Sequence, residues 1–260
     1  MRIARYTVGD ETPSYGVVDG PDGAEVVSAV EGDPFYRRVV PTGVRHLLDE
    51  VRLLAPVIPR SKVVCVGRNY AEHAAEMGAE ASDEPLIFIK PNTSVIGPMD
   101  GIVYPPQSHN LHYEGELAVV VGRIAKDVPA ARVREVVLGY TVANDVTARD
   151  LQARDGQWTR AKSFDTFCPL GPWIVTDLDP ADLAITTTLD GRVVQSGRTA
   201  QMVHSVSDLV TFVSGIMTLL PGDVILTGTP AGVGPMQVGD EVAVTIEGIG
   251  TLRNRVVTRD

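Results

Sequence analysis

Short apolar runs separated by Gly, Asp and Pro dominate the chain, and their periods set the expected elements. "RIARYTV", "YGVVDG" and "AEVVSAV" read as strands joined by Gly/Asp turns, and "TGVRHLLDEVRLL" carries the spacing of a helix. "APVIPRSK" holds two prolines and a basic pair, and "KVVCVG" starts a fresh apolar strand, so a boundary is placed near 55 to 61. The expected division is a small α+β N-terminal unit, 1–58, and a larger unit, 59–260. The second unit reads mostly as strand: "PLIFIK", "GELAVVVG", "EVVLGYTVAND", "DLAITTTLDGRVVQ", "DVILTG", "DEVAVTIEG" and "TLRNRVV". Asp190-Gly191 suits a two-residue hairpin turn, and Gly248 to Gly250 another. Two helices interrupt the strands: "NYAEHAAEM" ending at Gly78, and a second from Ser205 through "DLVTFVSGIMTLL" to Pro221-Gly222, with a serine or aspartate cap and a Pro-Gly stop. Strands without regular βαβ alternation predict a mainly β fold with some helix, a mixed sandwich or roll rather than a Rossmann sheet.

Composition narrows the classes. Of 260 residues 44% are hydrophobic and 22% charged, which allows a substantial core and argues against disorder. No apolar stretch is long enough to span a bilayer, and "MRIARYTVGDETP" turns polar before a signal-like region develops, so no membrane is expected and a cytoplasmic location is. Cys65 and Cys168 form no CxxC pair, so neither a zinc finger nor a disulfide framework is expected. A formal net charge of −10, with no basic stripe, argues against nucleic acid. Small molecules and metal cations remain as partners.

The stretch "LHYEGELAVVVG" then becomes conspicuous. In a strand, residues i and i+2 share a face, so Glu114 and Glu116 point the same way with Cα atoms about 6.6 Å apart. A half-exposed polar strand face is the ordinary alternative. Against it, Ala118 and Val120 continue the glutamate face while Leu117, Val119 and Val121 make the other, so both faces turn apolar at once. Two carboxylates at the mouth of a buried strand repel and resist ionisation unless a cation lies between them. A divalent ion resolves the conflict, and an all-oxygen set with open positions suits Mg²⁺. Asp145, where the apolar run "GYTVAND" stops, is the candidate third ligand, although its side chain could equally cap the next turn.

With these residues in view, the chain from Lys62 onward resembles the fumarylacetoacetate hydrolase family, in the branch holding bacterial 2-hydroxyhepta-2,4-diene-1,7-dioate isomerases, acylpyruvases and oxaloacetate decarboxylases. The resemblance is carried by "VGRNYAEHAAEMG", "FIKPNTSVIGP", "HYEGELAVVVGR", "GYTVANDVTARDLQ", "WTRAKSFDTFCPLGP" and "LTGTPAGVGPMQVGD", in the family's order. It implies a mixed-β roll, a homodimer, and Mg²⁺ or Mn²⁺ held by Glu114, Glu116 and Asp145.

The other blocks carry two readings each. His73 and Glu76 share a helix face and read from spacing as a surface pair; the resemblance makes them a water-activating pair on a lid. Lys162 is a snorkelling surface residue by general rule, and by resemblance an active-site cation for an enolate or a substrate carboxylate. Arg68 could grip a distal carboxylate or pair structurally, and Gln152 is a similar contact. "LTGTPAGVGP" lacks the GK[ST] ending of a phosphate loop and reads as a tight turn; the resemblance has its amides and the Thr229 hydroxyl take one oxygen of a 2-oxo acid. The expected activity is acylpyruvate carbon–carbon hydrolysis or oxaloacetate decarboxylation through an enolate. The alternatives are isomerisation of the heptadienedioate, oxaloacetate tautomerisation, or binding of 2-oxo acids without turnover.

Overall fold

The alternating runs pair into open, mixed sheets, so the expected mainly β class holds. A computed structural model describes residues 1–21, 23–80 and 82–259. Its long sheet runs in the order Pro41–Leu47, Val26–Val30, Ser14–Asp19, Arg2–Thr7, Cys168–Val175, Val137–Asn144, Gly115–Val121, Val224–Leu226, Val63–Gly67, Leu86–Lys90. The N-terminal strands thus continue the same sheet, Arg2–Thr7 pairing with Cys168–Val175. A five-stranded sheet that includes Ala184–Leu189, Glu241–Ile246 and Gly250–Val257 lies over the middle of the long one. Among the described residues no helix is long and apolar enough to cross a membrane.

Every residue of Gly115–Val121 is buried. Leu117, Val119 and Val121 join one core with Ile185, Val244 and Leu209. Ala118 and Val120 join another with Val63, Ala143 and Leu226. The two-sided apolar pattern is therefore a strand between two cores, as its sequence implied. The hairpin at Asp190-Gly191 forms with positive φ at both residues, and Gly248 turns the Ile246 to Gly250 hairpin.

Two expected elements differ. "TGVRHLLDEVRLL" forms no α-helix: Pro41–Leu47 is an edge strand, Leu48–Glu50 one 3₁₀ turn, and Arg52–Leu54 a strand on Arg2–Thr7. The free edge of Val26–Val30 supplies backbone partners, which outweigh the helical spacing; Leu48, Val51 and Leu53 still pack against the core, while Val44 stays 51% exposed. The later helix is Val206–Ile216, capped by Ser205, and stops short of Pro221 because Leu219 exchanges backbone hydrogen bonds with Ala125, 2.9 Å each way. Two short helices not foreseen, Arg149–Asp155 and Thr159–Lys162, follow the Val137–Asn144 strand.

Candidate active site and metal centre

Sheet register assembles the acids. Gly115 pairs with Asn144 and Glu116 with Ala143, and the Asp145 amide donates to the Glu114 carbonyl at 2.9 Å. The third acid is thereby placed opposite the first two. Single ligand oxygens of Glu114, Glu116 and Asp145 lie within 4.8 Å of one another, and all three residues are buried. Three carboxylates without nitrogen or sulfur form a donor set for a hard divalent cation, so the residues present fit one. The ends of Val224–Leu226 and Val63–Gly67 reach the same edge of the sheet, bringing Thr229, Arg68 and His73 to a cavity of about 560 Å³ above the acids.

Gly115 explains the spacing of the pair. A Cβ there would stand 2.3 Å from Thr187 Oγ1 and 2.9 Å from Val244, so glycine lets the five-stranded sheet pack closely on the face of this strand opposite the acids.

The electrostatics add two cations that the sequence reading did not assign, Arg149 and Lys90, to Lys162, which it did. Lys162 Nζ donates to Glu114 at 2.6 Å and to Asp145 at 2.7 Å. Arg149 pairs with Glu114, and the wholly buried Lys90 pairs with Asp145. Burial pushes the Glu114 carboxyl up, but Arg149 and Lys162 outweigh it and hold the group well below the usual carboxylate range. Glu116 is different: burial, then the Asp145 and Glu114 charges, push its carboxyl well above that range. Its stabilising contact is the Gly228 amide at 2.7 Å. A bound cation is thus not the only relief for these acids, as sequence argument had it; Glu116 is the member left without a side-chain cation. Lys162 is lowered by burial and raised more by Asp145 and Glu114, so it stays charged.

The remaining candidates fall into place around this floor. His73 Nδ1 lies 3.2 Å from Glu76 Oε2, and the Glu76 oxygens also accept from the Gly232 amide at 3.2 Å. Glu76 backs His73, which lines the cavity. Arg68, with φ of 59°, and Gln152 line it too; Gln152 Oε1 accepts from Arg149 at 2.9 Å. The Thr229 hydroxyl donates to the Gly115 carbonyl at 2.9 Å and accepts from Gln195 at 2.8 Å, so its proton is engaged by the strand that bears the glutamates. The sequence reading passed over Lys90, Arg149, His112 and Gln195. His112 shares the glutamate face of the quoted stretch, a signal that was available; burial, then Arg149, push its pKa down to about 4. Gln195 comes from the facing sheet and gave no local signal.

Residues 62–257 match the family described as fumarylacetoacetate (FAA) hydrolase C-terminal, and residues 1–56 one described as Rv2993c-like, N-terminal. The chain is 53% identical over 269 residues to protein Rv2993c of Mycobacterium tuberculosis, covering 100% of this chain and 99% of that one. It is 49% identical over 220 residues to the mitochondrial oxaloacetate tautomerase of Homo sapiens, covering 80% of this chain and 70% of that protein. The crystal structure of 2-hydroxyhepta-2,4-diene-1,7-dioate isomerase from Mycobacterium marinum matches with a TM-score of 0.92 at 50% identity, over 100% of this chain and 99% of that one.

Proposed function

The chain belongs to the fumarylacetoacetate hydrolase family, and from that premise we propose that it is a divalent-metal-dependent enzyme moving a proton at C3 of small 2-oxo acids, an enol–keto tautomerase or isomerase. The observation that carries the reading is the Glu114, Glu116 and Asp145 cluster at the floor of a cavity that also holds His73 backed by Glu76. The names of the tautomerase and isomerase relatives favour proton transfer over the hydrolysis and decarboxylation expected first. Glu114, Glu116 and Asp145 would hold Mg²⁺ or Mn²⁺, which when bound supplies Lewis-acid withdrawal toward the C2 oxygen.

The chain's own groups do the rest. Glu76 accepts from His73 Nδ1, which selects the tautomer with Nε2 as the free base. His73 takes the enol proton and returns it to C3, so the net change is a proton moved from oxygen to carbon. Lys162 spends two of its three N–H donors on Glu114 and Asp145, and its positive charge would stabilise the charge that develops on the enolate oxygen. Arg68 lines the cavity and would pair with a second carboxylate where the substrate has one, while Gln152 accepts from Arg149 and the Thr229 turn would border the substrate.

A second reading, carbon–carbon hydrolysis of acylpyruvates, is favoured by the His73 and Glu76 pair, which would equally take a proton from water attacking C4. A homodimer is proposed on family grounds, with light scattering as its check. The deciding assay follows enol oxaloacetate and pyruvate release with Mg²⁺ or Mn²⁺, with EDTA, and in His73→Gln. Turnover indifferent to EDTA sinks the metal reading; turnover unaffected in the variant sinks the proton-transfer role.

A further inference from the structure

The charged floor suits the head of a 2-oxo acid but leaves the wall above it without a task. Glu114, Glu116, Asp145 and Lys162 are at most 4% exposed, whereas Met77 on the same cavity is 44% exposed, so the cavity rises from a buried polar floor to an open rim where Met77 stands beside the polar Arg68 and Gln152. A chain of contacts gives the direction. Lys162 Nζ, which touches Glu114 and Asp145, also stands over the Phe88 ring, 5.0 Å from its centroid. Phe88 meets Trp158 edge to face, with centroids 5.3 Å apart and planes at 75°. Trp158 in turn rests on Gly67, where a Cβ would lie 2.6 Å from the indole. The close approach of the ring is what requires glycine at 67.

We infer that the Phe88 and Trp158 wall is a specificity subsite for a flat unsaturated or aromatic group carried beyond C4 of the substrate. The inference rests on the reading of the floor as a 2-oxo acid site. Length supports it: the path from the acids to the indole crosses two successive ring contacts, of 5.0 and 5.3 Å, whereas a four-carbon acid is only about 5 Å long by ordinary bond lengths. Such an acid leaves space toward the indole. Volume agrees, since about 560 Å³ falls within the range of sites for ligands far larger than a four-carbon acid. The indole is held between Phe88 and Gly67 before any ligand arrives, so little ordering cost opposes stacking on it, and aromatic rings favour offset or edge contacts with such a surface.

The test is calorimetric titration with Mg²⁺ present, comparing 2,4-dioxo-4-phenylbutanoate with 2,4-dioxopentanoate, together with turnover of both. The wild-type protein is expected to bind the phenyl acid about tenfold more tightly or better; Trp158→Ala should lose that preference while its affinity for the methyl acid stays within about threefold, and Trp158→Phe should keep it. Equal wild-type affinities overturn the subsite, as does equal weakening of both acids in Trp158→Ala, which marks a structural residue. If Trp158→Ala fails to fold, Phe88→Leu takes its place against the same criteria. A phenyl preference without cleavage of either acid refutes the hydrolytic reading alone. Turnover of both without preference refutes the subsite alone.

Discussion

Gly115 and Glu116 show how little freedom single residues have at this site. Adding one methyl group in Gly115→Ala drives a Cβ into Thr187 and Val244. The expected cost is about 1–3 kcal/mol of stability, read by urea unfolding, together with weaker Mn²⁺ binding as the strand shifts. Away from the site, Asp223 is wholly buried and accepts from the Ser61 amide and hydroxyl, from Lys62 Nζ at 2.8 Å and from the Leu220 amide at 2.9 Å. Burial pushes its carboxyl up, but the Lys62, Leu220 and Ser61 hydrogen bonds together win and the net shift is downward. A carboxylate depressed in the folded state stabilises above its unfolded value of about 4 and loses that stabilisation as pH falls through the folded value. Asp223→Ala leaves the Ser61 and Leu220 amides without their acceptor and Lys62 Nζ with only the Ser61 hydroxyl and the Thr218 carbonyl, and should cost about 1–3 kcal/mol at pH 7. The difference from wild type should shrink as the pH is taken below about 4, and a gap that stays constant to pH 2 contradicts the assignment.

At the scale of elements, the helix Ala71–Glu76 is too short to hold itself together in water. It is fastened by tertiary contacts: Glu76 to the Gly232 amide on one side, and on the other Asn69, whose carbonyl accepts from Val203 at 2.8 Å. Because the Gly232 and Val203 amides keep their acceptors on Glu76 and Asn69, His73→Gln should lower kcat about 10²- to 10⁴-fold while the fold is retained and the melting temperature stays close to that of the wild type. A parallel loss of stability would mean that His73 is structural. Val206–Ile216, by contrast, carries its own start signal, a capping box between Ser205 and Asp208. Ser205→Ala should cost about 1 kcal/mol of stability with activity intact.

At the scale of the whole molecule, the acid cluster joins strands that are distant in the chain, so an ion bound there stabilises the entire fold. Mn²⁺ at a hundred times its Kd should add about 2.7 kcal/mol. Scanning calorimetry should therefore show a rise of roughly 5–10 °C that EDTA reverses. Glu116→Gln is the clean control: it removes a ligand charge, keeps an acceptor for the Gly228 amide, and strands no cation. A variant that retains the full thermal rise would overturn Glu116 as a ligand. What could be read without coordinates follows from range. Period-two runs, the Asp190-Gly191 turn, the Ser205 cap and the twin acids at the head of a doubly buried strand are local, because side-chain alternation and turn conformation depend on neighbours in sequence. The identity of "TGVRHLLDEVRLL" was decided by an open strand edge. Lys90 and Arg149 beside the acids, Gln195 on Thr229, and Trp158 over Gly67 all arise from contacts between segments far apart in the chain. The three residues of the acid cluster were thus legible in the sequence by itself, whereas the charges that balance them and the wall above them were decided only when the sheets closed, since burial and pairing are properties of packed surfaces rather than of the chain.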